Sequence, residues 1–260
     1  FLAFAWHKVA PWPSVYASHT KDRIGSANVN SRVVVFPMQE TFADSIMYRT
    51  ESKIVPLSRQ FLESSIELID AAFLRDPTLA WCLSAQTPGF DARRANYLRS
   101  YLQYHHDASL PVLGVWVRDA LVAASYFTPG STTENTSSLA ELGHQIASGC
   151  GKRSLHRIDL LRRVVESKLS CHDCSRIEFI GVSPLMQGHG ICASLLRATL
   201  AYLHDIEPDK NVFLETGEVR NLPLYLRHGF SVRQRIGFPG LDQYLLQKDA
   251  VCGGLATSYE

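Results

Sequence analysis

The sequence predicts a single α/β domain in which a mixed sheet is flanked by helices. Three patterns carry this reading. Short runs rich in β-branched and aromatic residues alternate with longer segments whose apolar residues recur at helical spacing. Two of the runs, Val112–Val117 and Leu121–Phe127, are separated only by Arg118-Asp119-Ala120, the mark of a hairpin. A third, Ile177–Val182, stops at Ser183-Pro184 and passes through a glycine-containing turn into a helix marked by Ile191, Leu195, Leu196, Thr199 and Leu203.

Residues 1–50 mix Trp, Pro, Ser and Asn and hold no sustained period except Val33–Phe36, so a weakly structured extension is expected there. The working domain is expected over residues 51–250, opening just after Met47, with a short tail at 251–260. Ser52–Leu57 reads as the first strand. Phe61, Leu62, Ile66, Leu68, Ile69, Ala72 and Phe73 then fall at helical spacing toward Asp76-Pro77. Arg93 to Tyr104 gives a second amphipathic helix, and the hairpin follows. Thr128–Ser138, rich in Ser, Thr, Gly and Asn, reads as a loop. Leu155, Ile158, Leu161, Val165 and Leu169 give a long helix face. Val212–Thr216 is a strand, a short helix follows Asn221, and Phe230–Ile236 and Leu241–Gln247 close the sheet. The expected order is β-α-α-β-β-α-β-α-β-α-β-β.

Composition excludes several classes. With 260 residues and 46% apolar content the chain can bury a proper core. A net charge of +1 offers no field for nucleic acid or an anionic membrane. No run of about 18 apolar residues exists to span a bilayer. Six scattered cysteines are too few for a disulfide scaffold, so reduced thiols and a cytoplasmic location are expected. Cys171-His172-Asp173-Cys174 supplies only two of the four ligands of a structural zinc, so no metal is expected.

The strand–turn–helix around residue 188 is a site for a pyrophosphate. Gly188 and Gly190 let backbone approach a ligand, and the first helical N–H groups have no intrahelical partner. The spacing is neither G-x-G-x-x-G, since position 193 is Ala, nor the ATP-type G-x-x-x-x-G-K-[ST]. What stands here is Q-x-x-G-x-C, Gln187 to Cys192. It resembles the acetyl-CoA loop of the GNAT superfamily of N-acetyltransferases, usually Q/R-x-x-G-x-G/A. Cys192 departs from that pattern but is small and weakly hydrophobic. His189 stands where relatives often carry Lys or Arg, which implies weaker or pH-dependent attraction for the pyrophosphate. Leu214-Glu215-Thr216, then Arg220-Asn221-Leu222-Pro223, Tyr225 and Gly229-Phe230 resemble the fifth strand and following helix of the same superfamily, most closely its puromycin N-acetyltransferase-like branch, which implies one long, glycine-containing helical segment before the fourth strand, here Leu139 through Leu169.

The resemblance covers about residues 53 to 248 and implies a GNAT-type mixed, mostly antiparallel sheet flanked by helices in one domain. It implies acetyl-CoA as co-substrate and a small-molecule primary amine as acceptor, joined by direct attack in a ternary complex. The carrier would be held by Ile180, Gly181, Val182, Gln187, Gly188, His189, Gly190, Ile191, Cys192, Asn221 and Tyr225. A backbone N–H near Ile180 to Val182 would serve the oxyanion. Tyr225 aligns with the family's general acid for the departing thiolate; packing beneath the last helix is its other reading. Glu215 either accepts the amine proton, directly or through water, or orients Asn221 and the backbone. Glu178, a carboxylate on an otherwise apolar strand, is either the base or a partner of Arg176 or Lys152. His105-His106-Asp107 reads as a helix terminus rather than a cluster, because adjacent helical residues do not share a face. A monomer or homodimer is expected. The competing function is a non-catalytic acyl-CoA-binding sensor or scaffold on the same fold.

Overall fold

The computed structural model describes residues 52–133, 135–169 and 174–250. The expected N-terminal extension and C-terminal tail lie outside them, as do Cys171 and Cys252. In chain order the elements are β1 (Ser52–Pro56), α1 (Leu62–Ala72), α2 (Pro77–Cys82), α3 (Phe90–Asp107), β2 (Val112–Val117), β3 (Ala120–Thr128), α4 (Thr136–Cys150), α5 (Lys152–Glu166), β4 (Ser175–Val182), α6 (Ile191–Ile206), β5 (Val212–Thr216), α7 (Leu222–Arg227), β6 (Ser231–Phe238) and β7 (Leu241–Lys248). Short 3₁₀ turns precede α1, α6 and α7.

Two helices exceed the sequence expectation, each for a local reason. Proline cannot continue a helix, so α1 ends before Pro77; Asp76 then caps α2, its Oδ1 accepting from Leu79 N at 2.8 Å. The long segment before β4 breaks at Gly151, whose φ of 82° and ψ of 160° suit glycine alone. Helix α4 also begins inside the stretch expected as a loop, because the Asn135 side chain accepts from Ser137 N and Ser138 N.

The strands form one seven-stranded sheet in the order β1-β2-β3-β4-β5-β7-β6. Every neighbouring pair is antiparallel except β4 and β5. That parallel pair holds only at Ser175↔Val212 and Arg176↔Phe213. Beyond it β4 continues to Val182 and β5 to Thr216 without pairing with each other, so the sheet opens at their C-terminal ends. Across β3 and β4, Tyr126 faces Phe179 while Phe127 faces Ile177. Glu178 is therefore the extra residue of a β-bulge, a device that re-aims a side chain.

Helices cover both faces. Tyr126 OH meets Ser65 Oγ of α1 at 2.5 Å, whereas its neighbour Ser125 is bonded through Oγ to Thr199 of α6 at 3.0 Å. Adjacent strand residues point oppositely, so α1 and α6 lie on opposite sides. Helix α1 comes close to β4: a Cβ at Gly181 would stand 2.9 Å from Ile69 Cδ1. Phe73, Tyr101 and Phe179 pack edge to face, with Phe179 5.6 Å from Phe73 and 5.3 Å from Tyr101. Each such buried ring stabilises the fold by about 1.5–3 kcal/mol. At the other end of the opening, Glu207 after α6 accepts from Gly130 N, Ser131 N and Ser175 Oγ, each at 2.7 Å, which ties the loop after β3 to the start of β4.

Cys174 corrects the expectation of reduced thiols, because it is disulfide-bonded. Cys82, Cys150 and Cys192 are free. Among the described residues no helix is long and apolar enough to cross a membrane.

Candidate active site

A cleft of about 520 Å³ lies at the C-terminal end of β4. Its walls are the turn between α1 and α2, the end of β4, the loop into α6, and the segment from Glu218 to Arg227. The loop is shaped by local chemistry. Pro184 starts a 3₁₀ turn, and Gln187 folds back so that its Nε2 donates to Val182 O at 3.2 Å. Gly188 and Gly190 sit at φ of 86° and 78°, the left-handed region that a side chain disfavours. Gly190 is also the N-cap of α6 and offers no capping side chain. The first turn of α6, Ile191 to Ala193, lines the cleft with its donors uncapped by any side chain. A Cβ at Gly188 would meet nothing within 4 Å, so the space above it is open. A uniquely bent loop and a helix N-terminus thus converge on one cavity, which is what a pyrophosphate requires.

The cleft lining gathers Ile180, Gly181, Val182, Gln187, Gly188, Gly190, Ile191, Cys192, Asn221 and Tyr225 from the residues that the sequence singled out. His189 is not among the lining residues; its Nδ1 lies 3.0 Å from Gln187 O in its own loop. Tyr225 is buried on α7, its ring centroid 6.0 Å from that of Phe230 in an edge-to-face contact. Burial holds its phenol well above the usual range, and the Cys192 thiol and Asp76 carboxylate add to that. It keeps its proton at neutral pH. Burial also pushes the Cys192 thiol up to about 11, which makes it a poor nucleophile.

Neither glutamate lines the cleft. Glu178, re-aimed by the bulge, accepts from Tyr101 OH at 3.0 Å and from Thr128 Oγ1 at 2.9 Å. Glu215 is fully buried. Gln243 Nε2 donates to its Oε2 at 3.1 Å, while Oε1 has no hydrogen-bond partner. Burial raises this carboxyl to about 8, against the lowering effect of Gln243 and Arg176, and with Glu178 adding to the rise. Gln243 is itself held by Thr78 Oγ1, which donates to its Oε1 at 2.9 Å and accepts from Gly217 N at 3.1 Å.

His105 is buried with Nε2 3.2 Å from Pro111 O, and burial drops its imidazole to about 3. Asp107 pairs instead with Arg59. The sequence reading missed Arg75, Asp76, Glu218, Arg220 and Arg227, which also line the cleft. Glu218 and Arg220 neutralise each other, Oε2 to Nη2 at 2.7 Å. Arg227 lies two residues past Tyr225, inside the block already recognised, yet nothing in a single sequence says which way an exposed arginine turns.

No family model matches the chain. Solved structures do. The chain is 15% identical to a histone acetyltransferase HPA2 and related acetyltransferase from Corynebacterium glutamicum, covering 78% of this chain and 98% of that one with a TM-score of 0.55. A polyamine N-acetyltransferase from Drosophila melanogaster is 16% identical over 75% of this chain and 97% of its own, at 0.54. Arylalkylamine N-acetyltransferase 2 from Aedes aegypti is 12% identical over 76% and 99%, at 0.55. The fold is the mixed α/β fold of these acetyltransferases.

Proposed function

We propose that the protein is an acetyl-CoA-dependent N-acetyltransferase of the GNAT superfamily that acts on a primary amine of a small molecule. The observation that carries this is one cleft that joins an uncapped helix N-terminus behind two left-handed glycines to a protonated, buried Tyr225. The residues fit the carrier: N–H donors for its pyrophosphate at 188–192, and the end of β4, which does not pair with β5 there, for its extended arm. Acetyl-CoA supplies the activated acyl group. The cleft would hold it and the amine side by side, which lowers the entropic part of the barrier. As the amine nitrogen bonds to the acyl carbon and the C–S bond breaks, a backbone N–H near Ile180 to Val182 stabilises the oxyanion. Tyr225 gives its proton to the departing sulfur. The amine's surplus proton goes to Glu215, through water because that carboxyl lies outside the lining, with Glu178 as the other candidate.

Amine acetylation by the fold neighbours from Drosophila melanogaster and Aedes aegypti supports a small basic acceptor. The Leu214-Glu215-Thr216 and Asn221–Phe230 blocks support the puromycin N-acetyltransferase-like branch. A domain at 51–250, a cytoplasmic location and a monomer or homodimer complete the reading. The burial of both glutamates favours one rival, a protein that binds acyl-CoA without turnover. Thiol release from acetyl-CoA with a panel of amines separates the two. Tyr225→Phe is expected to lower turnover by about 10²–10⁴-fold while CoA affinity stays unchanged. Wild-type protein that binds CoA but releases no thiol with any amine would favour the rival.

A further inference from the structure

The charge on the cleft is not where the sequence put it. His189, the loop's only ionisable side chain, bonds within its own loop and is not among the lining residues. The cationic lining is Arg75, Arg220 and Arg227, and the anionic lining is Asp76 and Glu218. Three of these five are committed. Arg220 and Glu218 pair with each other, and the Asp76 carboxylate caps α2 at Leu79 N. Arg75 and Arg227 make no ion pair or hydrogen bond with any described side chain, and both are exposed.

Their positions are complementary. Arg75 projects from the turn between α1 and α2, and Arg227 from the last turn of α7, so they approach one cavity from two walls. Each has an exposed apolar neighbour, Leu74 and Leu226, and Leu185 stands exposed on the loop between. Two uncommitted guanidinium groups beside apolar side chains suit a ligand end that carries both a flat base and a phosphate. A guanidinium offers paired donors to phosphate oxygens and retains its charge at any working pH. The pyrophosphate is already provided for by the N–H groups at 188–192, which leaves the arginines for a separate phosphate.

Resting on the proposed carrier, we infer that Arg75 and Arg227 form a two-sided clamp for the 3′-phosphate of the adenosine end of CoA, and make the protein select CoA over its 3′-dephospho form.

Calorimetric titration of the full chain with CoA and with 3′-dephospho-CoA tests this. Wild-type protein is expected to bind CoA on the order of tenfold or more tighter, since each charge-assisted contact to phosphate is worth about that much even when exposed. Arg227→Gln and Arg75→Gln should each shrink that ratio, and the double variant should bring it to about one, with affinity for 3′-dephospho-CoA unchanged. Arg→Lys at either site should restore part of the ratio. A ratio that survives the double variant, or variants that weaken both ligands equally, would overturn the clamp and leave the acetyltransferase reading standing. Failure of folded wild-type protein to bind either carrier would instead overturn that reading and the clamp with it.

Discussion

The Tyr101 hydroxyl donates to Glu178 Oε2 at 3.0 Å and so joins α3 to the bulge of β4 at the point where the sheet opens. Thr128 completes the set from β3, at 2.9 Å to Oε1. Glu178 is thus the polar pin of an otherwise apolar junction.

Removing one end of this pin leaves the other buried and unmet. Glu178→Ala is expected to cost about 3–5 kcal/mol, because two hydroxyls lose their acceptor and the bulge loses its reason. Tyr101→Phe removes one donor and should cost about 1–3 kcal/mol. Denaturant unfolding of both variants checks the order. Equal stability of wild type and Glu178→Ala would show that the bulge does not depend on the carboxylate.

Stability should show a plateau in mid-acid pH with a slope on either side. The Glu215 carboxyl sits near 8 against an ordinary 4.5, and the His105 imidazole near 3 against 6.5. As pH rises from 4.5 to 8, the unfolded chain has released the Glu215 proton that the folded chain retains, so stability is lost. As pH falls from 6.5 to 3, the unfolded chain takes up a proton at His105 that the folded chain refuses, and stability is lost again. Between 4.5 and 6.5 the two slopes oppose and cancel; outside that window each amounts to about 1.4 kcal/mol per pH unit. Glu215→Gln should abolish the alkaline fall and leave the acid one. If Glu215 is also the base, kcat/KM should climb toward pH 8 across the range in which stability declines, an opposition that rate profiles and unfolding midpoints can resolve together.

Gly190→Val should end carrier binding, while Gly240→Val should not. Both glycines have positive φ, 78° and 83°, so either substitution carries about 1–2 kcal/mol of backbone strain. Only Gly190 lines the cleft; Gly240 lies in the turn between β6 and β7. Matched stability losses with CoA affinity lost in the first alone is the expected titration result. Retained affinity in Gly190→Val would remove the turn from the binding site.

Sequence reading found the elements whose signal is short-range. The hairpin at Arg118-Asp119-Ala120, the Ser183-Pro184 stop and the glycines before α6 each act over a few residues, and the strands and helices follow from them. It merged α4 with α5 because the resemblance implied one long helical segment over residues 139–169, and the backbone break between them is carried by Gly151. It carried the first helix toward Asp76-Pro77 and gave α2 no element of its own, although Asp76-Pro77 is a start signal.

Local order along the chain was therefore fixed by the residues themselves: apolar periodicity set strand against helix, and glycines took both left-handed positions of the loop before α6. Tertiary packing decided where charge and protons reside. Glu178 turns into a hydroxyl pair because strand pairing created a bulge, Glu215 is held near 8 because helices exclude water from it, and the cleft draws its free cations from Arg75 and Arg227 rather than from His189. Those outcomes depend on contacts between segments tens of residues apart, and a carboxylate's or guanidinium's surroundings are set by distance in space, which no periodicity along the chain encodes.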